Sequence, residues 1–391
     1  MKETFSPAEM LGRLVAFDTT SRGSNLALIH WVRDYLAAHG VASHLTYNDD
    51  RNKANLFATI GGEAARGGGI VLSGHTDVVP VDGQAWDTDP FAMTERGGNF
   101  YGRGTADMKG FIAIALALVP ELTARKLRTP IHLALSYDEV VGCFGVPRLV
   151  EAMPAGAGRP RLAIVGEPTE LRIVTANKGA AVFATTVTGL EAHSSATHRG
   201  VNAIFAAGEI IGCIARLAAE HAANPQPDSR FDPPYTTFNV GTIRGGTAQN
   251  IIPRHCRFTW EYRLLPGDDG EAIERRVQDF ISTDLLPRLR RVHPGSDIET
   301  KRLAEVPYFQ AAPDSPIEAL LRQITGSNAP AGAVAFVTEA GFFESAGLPT
   351  VVCGPGSIDV AHKPNEYISR EQLDAGTDLI RRIGAWAATA G

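Results

Sequence analysis

The sequence predicts an α/β protein whose main domain has a mostly parallel β-sheet and is interrupted by a smaller α+β module. Nearly continuous apolar runs such as "IVLSG" and "LAIVG" are typical of strands covered on both faces. Helical segments alternate with these runs, which indicates a parallel sheet. From about residue 178 the runs change to alternating apolar and polar residues, which is typical of strands with one exposed face.

The first part of the main domain is predicted over residues 1–177. A helix begins after Ser24 or Asn25 and ends at Gly40, because apolar residues recur there at helical spacing between a capping residue and a glycine. The elements that follow are strands at "NLFATIGG" and "GGGIVLSGHTDVV", a helix at "MKGFIAIALALVPELTARK", a strand at "TPIHLALSYDE", a helix at "GVPRLVEAMP" and a strand at "RLAIVGEPTE".

The inserted module is predicted over residues 178–303, and the main domain resumes over residues 304–391. The module has strands at "GAAVFATTVTGLEAHSS", "TTFNVGTIRGG", "CRFTWEYRLLPG" and "DIETKRLAE", and helices at "NAIFAAGEIIGCIARLAAEHA" and "GEAIERRVQDFISTDLLPRLRRV". The last part of the chain has a helix at "SPIEALLRQITG", a strand at "PTVVCGPG" and a closing helix at "SREQLDAGTDLIRRIGAWAAT".

Composition and charge exclude several classes of function. The 391 residues include 37 basic and 43 acidic side chains, and no basic run supports a nucleic-acid partner. The longest apolar run, at residues 110–119, is too short to span a bilayer, and the N-terminus lacks the apolar core of a signal peptide. The four cysteines show no paired spacing, so we expect reduced thiols in a cytoplasmic protein without a membrane partner.

Short polar clusters follow the predicted strands, at the sheet edge where α/β proteins bind ligands. These clusters contain His75 with Asp77, Asp107, Asp138 with Glu139, Glu167, and His362. Imidazoles and carboxylates without thiols suit a catalytic zinc or a similar divalent ion rather than a structural metal. Taken singly, each residue has an ordinary structural explanation, such as a helix cap or a turn. Only their joint placement at one edge of the sheet favours a metal site.

The motifs also resemble a known family. They are "SGHTDVVP", "GRGTADMKG", "SYDEVVGC", "GEPT", "AHSS", "GGTAQNIIP", "TEAGFF" and "VVCGPGSIDVAHKPNEYI". In this order, over about residues 10–386, they resemble the acetylornithine deacetylase branch of the two-zinc aminoacylase/carboxypeptidase family. The resemblance implies a zinc-peptidase catalytic domain, and it implies that the inserted module is a ferredoxin-like lid and dimerisation domain.

The resemblance also implies roles for the polar clusters. Asp107 would bridge two metal ions, which would be zinc, cobalt or manganese. The metal ligands implied are His75, Asp107, Glu167 and His362. Asp77 would hydrogen-bond the second nitrogen of His75 and so fix its tautomer. Glu139 would be the general base that takes a proton from the attacking water.

One position departs from the family pattern. Relatives have Asp-Glu-Glu-Val-Gly, in which the second glutamate binds the second metal, whereas this sequence has Val140. Valine has no lone pair, so the second site keeps two protein ligands and we expect one tightly bound metal ion at the first site. A slipped register would instead make Asp138 the base and Glu139 the ligand.

The inserted module carries further residues that the resemblance implicates. His193 would reach across a dimer interface and donate a hydrogen bond to the developing oxyanion. Asn250 and Arg263 would bind the substrate carboxylate. Glu344, in the main domain, either faces a cationic substrate side chain or is an ordinary acid on a helix surface.

The expected protein is a cytoplasmic, homodimeric, metal-dependent amidohydrolase that removes the acyl group from an N-acyl amino acid. N-acetyl-L-ornithine is the first candidate substrate. Two alternatives stay open at this point. One is a single-metal relative that hydrolyses a different small amide, dipeptide or C–N bond. The other is a catalytically silent homologue that binds amino acids or a partner protein.

Overall fold

The computed structural model describes residues 3–61 and 68–389, and the chain forms two compact units. The first unit comprises Met1–Ala176, Phe309–Ala333 and Thr338–Gly391. The second comprises Asn177–Tyr308 and Val334–Val337. The sequence placed the insertion at residues 178–303, without the short return segment at residues 334–337.

The helices and strands are numbered in chain order. The helices are α1 (Pro7–Val15), α2 (Leu26–Ala38), α3 (Lys109–Ala117), α4 (Val119–Ala124), α5 (Val146–Glu151), α6 (Ala203–Ala223), α7 (Gly270–Asp279), α8 (Leu286–Val292), α9 (Pro316–Thr325), α10 (Ala340–Ser345) and α11 (Arg370–Thr389). The strands are β1 (Ser43–Tyr47), β2 (Ala54–Ile60), β3 (Ile70–His75), β4 (Thr94–Arg96), β5 (Asn99–Tyr101), β6 (Ile131–Ser136), β7 (Leu162–Pro168), β8 (Val174–Asn177), β9 (Gly179–Thr188), β10 (Thr237–Gly245), β11 (His255–Leu264), β12 (Asp297–Val306), β13 (Phe309–Gln310), β14 (Gly332–Val334), β15 (Thr350–Gly354) and β16 (Tyr367–Ser369).

The large sheet has nine strands in the order β1-β2-β6-β3-β7-β15-β8-β13, with β14 paired to β8. Its central strands β6, β3, β7 and β15 are parallel, whereas β2 and β8 pair with them antiparallel. Every residue of β3, β6 and β15 is buried, as expected of strands covered on both faces. The predicted α/β class is confirmed, and the parallel pairing is a property of the centre of the sheet.

The parallel strands bring the predicted polar clusters to one edge. His75 at the end of β3 lies opposite Ser136 at the end of β6. Strand β7 runs through Glu167, and β15 ends at Gly354, before the segment that carries His362. Since parallel strands point in one direction, their carboxyl ends and the loops that follow must gather at the same place.

Two long helices that the sequence predicts are divided in the structure. The first is interrupted at Leu118, between α3 and α4, one residue before the first turn that contains Pro120. The second consists of α7, a π-helical segment at Phe280–Leu285, and α8, which has a proline in its first turn. Proline lacks the N–H that continues the helical ladder, and its ring displaces the preceding turn.

The second unit contains a four-stranded antiparallel sheet in the order β10-β11-β9-β12. Helix α6 connects β9 to β10, and α7 and α8 connect β11 to β12, which is the βαββαβ connectivity of a ferredoxin-like fold. Buried apolar residues of α6 and of the sheet form its core, in which Phe183 stacks on Trp260 with ring centroids 4.3 Å apart. The predicted ferredoxin-like module is confirmed.

Helix α1 lies outside the elements that the sequence analysis named. Its signal is present, because Ser6 and Glu9 form a capping box in which each side chain binds the other residue's backbone N–H. A small antiparallel sheet of β16, β5 and β4 was also missed. Among the described helices, none combines the length and the apolar character that crossing a lipid bilayer requires.

The packing between β7 and α3 leaves no room for a side chain at Gly166. A Cβ atom there would lie 2.1 Å from the ring of Phe111. We therefore expect Gly166→Ala to lower the thermal unfolding midpoint by several degrees, because such overpacking costs about 1–3 kcal/mol. The control is Gly208→Ala in α6, where a Cβ meets nothing within 4 Å. Equal midpoints for the two variants would contradict this packing.

Candidate metal centre

His75 occupies the end of the buried strand β3, and its ring is almost completely buried. Its Nδ1 lies 2.8 Å from the backbone carbonyl oxygen of Asp77. The sequence analysis assigned this contact to the Asp77 carboxylate, but that carboxylate lies 3.7 Å from Nδ1. Asp77 is therefore the partner of His75, as expected, but its backbone oxygen rather than its carboxylate accepts the hydrogen bond. Because a carbonyl only accepts, Nδ1 carries the proton and Nε2 faces the centre of the site.

The Asp77 carboxylate is engaged elsewhere. It accepts hydrogen bonds from the Ser21 hydroxyl at 2.7 Å and from the backbone N–H groups of Glu139 and Val140 at 3.1 and 3.3 Å. These three donors explain why the carboxylate does not reach His75. Asp77 therefore links the loop after β3 to the turn after β6, from which Glu139 projects.

Three carboxylates approach Nε2 of His75. Asp107 Oδ1 lies 3.0 Å away, and Glu139 Oε2 and Glu167 Oε1 each lie 3.8 Å away. The donor atoms of His75, Glu139 and Glu167 all lie within 4.8 Å of one another. All of these side chains are buried. Residues separated by up to 92 positions in the sequence thus meet around one imidazole nitrogen.

Asp107 also contacts the second predicted histidine. Its Oδ2 lies 3.0 Å from Nε2 of His362, whose side chain is 58% exposed. The two oxygens of one carboxylate therefore face two different imidazoles, which is the arrangement of a carboxylate that bridges two positions. The sequence analysis predicted Asp107, His75 and His362 as metal ligands, and the structure brings these three residues together.

The ionisation of the cluster reflects burial and mutual charge. Burial raises the pKa of Glu139 to about 8 and that of Glu167 well above its usual value, against the opposing effect of His75. Burial would lower the pKa of His75, but the nearby carboxylates, Glu139 first among them, raise it well above its usual value. Asp107 has a lowered pKa, because its hydrogen bonds with His362 and His75 outweigh its burial.

Two further buried glutamates support the cluster, and the sequence analysis assigned neither. Glu366 pairs with the buried Arg103 at 2.6 Å and accepts the backbone N–H of Asp107 at 3.1 Å. Glu339 accepts hydrogen bonds from the hydroxyls of Ser73 in β3 and Ser136 in β6. Both glutamates lie in motifs that carry the family resemblance, "HKPNEYI" and "TEAGFF", which was the available signal.

Asp138 and Glu139 are neighbours with different partners. Asp138 has a φ of 56°, and its carboxylate forms an ion pair with Lys53. Glu139 turns its carboxylate to the cluster around His75. The ion pair with Lys53 engages Asp138 away from the cluster, which disfavours Asp138 as the base. Glu139 is itself one of the donors around His75, as the slipped register also requires of it.

Few donor atoms surround the contact between Asp107 and His362, where the sequence analysis expected a second metal position. Asp107 and His362 approach each other there, and Val140 follows Glu139 with a half-buried side chain that has no donor atom. Within residues 3–61 and 68–389, the cluster of His75 is the single group of three or more such donors that lie close enough together to hold a metal ion.

In the second unit, His193 and Asn250 lie close together beyond the end of β9, whereas Arg263 lies opposite Ala180 at the start of β9. A β-bridge joins His193 to Ile251, and the N–H of Ser194 donates to the carbonyl of Asn250 at 3.1 Å. Arg263, in β11, forms an ion pair with Glu261 at 3.0 Å. In the first unit, Glu344 accepts the backbone N–H of Thr350 at 2.9 Å, so its carboxylate is already engaged within the fold.

Comparison with known proteins identifies the family. The model of Peptidase family M20/M25/M40 matches residues 71–385. The acetylornithine deacetylase of Myxococcus xanthus is 40% identical over 366 residues, which cover 93% of this chain and 92% of that protein. The acetylornithine deacetylase of Pasteurella multocida (strain Pm70) is 33% identical and covers 98% of both chains. The family resemblance read from the motifs is confirmed.

Solved structures agree in fold. Human carnosine dipeptidase 1 superposes with a TM-score of 0.76 at 18% identity, covering 98% of this chain and 97% of that chain. The M20 family metallo-carboxypeptidase Sso-CP2 from Sulfolobus solfataricus gives a TM-score of 0.75 at 16% identity, covering 99% and 100%. With motifs, fold and full-length relatives in agreement, the chain belongs to Peptidase family M20/M25/M40.

Proposed function

We propose that this protein is a metal-dependent amidohydrolase that removes the acetyl group from N-acetylornithine. The two acetylornithine deacetylases, aligned over nearly the whole chain at 40% and 33% identity, support the choice of substrate. The single observation that carries the chemistry is the convergence of three buried carboxylates on Nε2 of His75. Such a concentration of negative charge is expensive to bury unless a cation is bound there.

The proposed ligands of a divalent ion are His75, Asp107 and Glu167, of which His75 and Glu167 belong with Glu139 to the group of donor atoms within 4.8 Å of one another. Two ligands of a tetrahedral zinc ion lie about 3.3 Å apart, given bonds of about 2.0–2.1 Å. The distances of 3.0 and 3.8 Å from His75 Nε2 to the carboxylate oxygens lie on either side of this value. Among the described residues, Glu167 Oε1 is buried without a hydrogen-bond partner. An oxygen in that condition is well suited to bind a metal ion.

We propose that one ion binds tightly, and that it is zinc, cobalt or manganese. At the second position the chain offers His362 and one oxygen of Asp107, and Val140 stands where the family resemblance implies a glutamate. Two protein ligands hold zinc more weakly than three. A single ion is sufficient for hydrolysis in many enzymes, so the loss of one ligand is compatible with activity.

Glu139 is the proposed general base and acid. When bound, a metal ion would polarise the amide carbonyl and lower the pKa of a nearby water. The Glu139 carboxylate takes the proton of the attacking water and delivers it to the nitrogen as the C–N bond breaks. The products are acetate and the free amine of ornithine. Hydrogen bonds from the Glu139 and Val140 amides to Asp77 orient the turn that carries this carboxylate.

The second unit supplies the proposed oxyanion and carboxylate contacts. Nδ1 of His193 accepts the backbone N–H of Ser195 at 3.2 Å, so a neutral His193 carries its proton on Nε2 and can donate from there. We propose that it donates to the oxyanion in a homodimer. Asn250 and Arg263 are also proposed to bind the substrate carboxylate. Because they lie apart within one chain, the two contacts would come from different protomers of the homodimer. Arg263 has five N–H donors, and its pairing with Glu261 leaves others for a substrate.

The cellular location belongs to the same proposal. All four cysteines are free thiols, which is the state that a reducing compartment maintains. We place the protein in the cytoplasm, where a small-molecule N-acyl amino acid is its substrate.

The function is tested with purified metal-loaded protein and a panel of N-acetylornithine, other N-acetyl amino acids and neutral dipeptides. We expect hydrolysis of N-acetylornithine, and we expect Glu139→Gln to lower kcat by about 10²–10⁴-fold, because it removes the proton acceptor. The matched control is Glu151→Gln, at an exposed position, which should retain wild-type activity. Faster turnover of a dipeptide than of N-acetylornithine would favour the alternative of a single-metal relative that hydrolyses dipeptides. No turnover with zinc, cobalt or manganese would point to the silent homologue.

Metal content tests the role of Val140. We expect about one tightly held ion per chain after dialysis, and a second in Val140→Glu, because the new carboxylate adds a third donor to the second position. Inductively coupled plasma mass spectrometry gives the stoichiometry. Val141→Glu is the control, because the side chain of Val141 is next in the chain and is 48% exposed. Two tightly held ions in the wild-type protein would contradict the single-ion site.

Metal affinity should rise with pH between 6 and 8. Of the proposed ligands, His75 has a pKa raised well above its usual value by the nearby carboxylates, and Glu167 has a pKa raised well above its usual value by burial. At low pH protons occupy these donors and must leave when the metal binds. Each displaced proton makes the affinity roughly tenfold tighter per pH unit below that group's pKa. Competition with a chelator at pH 6, 7 and 8 measures the slope, and a flat profile would contradict the prediction.

A further inference from the structure

Lys53 lies in the first unit, directly before β2, and faces the turn that carries Glu139. Strand β2 pairs antiparallel with β6, with Leu56 opposite Leu135. Continuing that register by three residues puts Lys53 opposite Asp138. Its ammonium forms an ion pair with the Asp138 carboxylate, and the two side chains are only 12% and 14% exposed. A partly buried pair of this kind is less screened by water than a surface pair.

The same ammonium belongs to a closed ring of contacts. Lys53 Nζ also donates to the backbone carbonyl of Ser21. The hydroxyl of Ser21 donates to the Asp77 carboxylate at 2.7 Å. Asp77 in turn accepts the backbone N–H of Glu139 at 3.1 Å. The backbone between Asp138 and Glu139 is therefore held from both sides, by Lys53 and by Asp77.

The backbone in this turn adopts a conformation that needs such support. Asp138 has a φ of 56°, in the left-handed region that residues other than glycine adopt at an energetic cost. The turn closes through hydrogen bonds from the Phe144 N–H to the Asp138 carbonyl and from the Cys143 N–H to the Glu139 carbonyl, at 3.1 and 3.0 Å. Residues held in strained conformations persist only where their surroundings fix them.

The positive charge of Lys53 explains why a lysine holds the turn at Asp138. Burial raises the pKa of the Asp138 carboxyl, and the nearby Asp77 carboxylate raises it further. The Lys53 ammonium offsets this repulsion, and its second contact with Ser21 fixes it to the loop that also binds Asp77. Without it, two like charges would remain close together in a partly buried turn.

We propose that Lys53 is a positioning residue for hydrolysis, which acts through Asp138 to hold the Glu139 carboxylate towards His75. The proposal rests on the function proposed above, because it assumes that Glu139 transfers the proton. Loss of Lys53 leaves the metal ligands and Glu139 in the chain but releases the turn. The effect therefore falls on kcat, while KM and metal content remain close to those of the wild-type protein.

The experiment compares Lys53→Met, Lys53→Arg and the exposed control Lys126→Met. With N-acetylornithine as substrate, we expect Lys53→Met to lower kcat at least tenfold with little change in KM or metal content. Lys53→Arg should restore most of the activity, because it keeps the charge. Hydrogen exchange should be faster over residues 139–145 in Lys53→Met than in Lys126→Met, and slow again in Lys53→Arg.

Asp138→Asn tests the same ion pair from the other side, and it serves if Lys53→Met does not fold. In that background Lys53→Met should have little further effect on kcat. The proposal is overturned if Lys53→Met matches Lys126→Met in kcat or in the exchange of residues 139–145. It is also overturned if Lys53→Met lowers kcat as much in the Asp138→Asn background as alone. A wild-type protein that hydrolyses no N-acyl amino acid would refute the proposed function, whereas the exchange measurement would still test the Lys53–Asp138 support.

Discussion

The structure of the first unit depends on a concentration of buried negative charge at one edge of its sheet. Asp107, Glu139 and Glu167 approach the same nitrogen of His75 at 3.0 to 3.8 Å. A single protonated imidazole cannot offset three carboxylates, and for this reason burial raises the pKa of Glu139 and of Glu167. Parallel strands create the problem, because they bring these loops together, and a divalent cation bound at their ends would resolve it.

Around the cluster, the chain fixes its charged groups through other buried carboxylates. Glu366 binds Arg103 and the backbone N–H of Asp107, and Glu339 binds one hydroxyl from each of β3 and β6. Each of these carboxylates joins segments that are distant in the sequence. Burial raises the pKa of both glutamates, and their hydrogen-bond partners act in the opposite direction. Buried side chains beyond the proposed ligands therefore hold the segments of the cluster together.

The sequence could predict the strands and the residues at their ends, because both depend on local pattern. The apolar runs of β3 and β6 and the motifs of His75 and Glu167 are short and continuous. The supporting contacts depend instead on partners far apart in the chain. Ser73 and Glu339, for instance, are separated by 266 positions, and no periodicity links them. Distance in sequence also hid the role of Lys53, whose partner becomes visible only when the register of β2 against β6 is known.

A glutamate at position 140 would supply both a backbone hydrogen bond to Asp77 and a side-chain metal ligand, whereas Val140 supplies only the first. Its backbone N–H donates to Asp77, and any residue except proline can make that bond. Its side chain has no oxygen, so the position supplies no metal ligand. Replacing a glutamate by valine therefore removes a donor from the second metal position without releasing the turn that carries Glu139. The proposed base Glu139, the carboxylate of Asp77 and the proposed ligands of the first position remain together. For this reason a chain with one tight metal site can retain the machinery for hydrolysis.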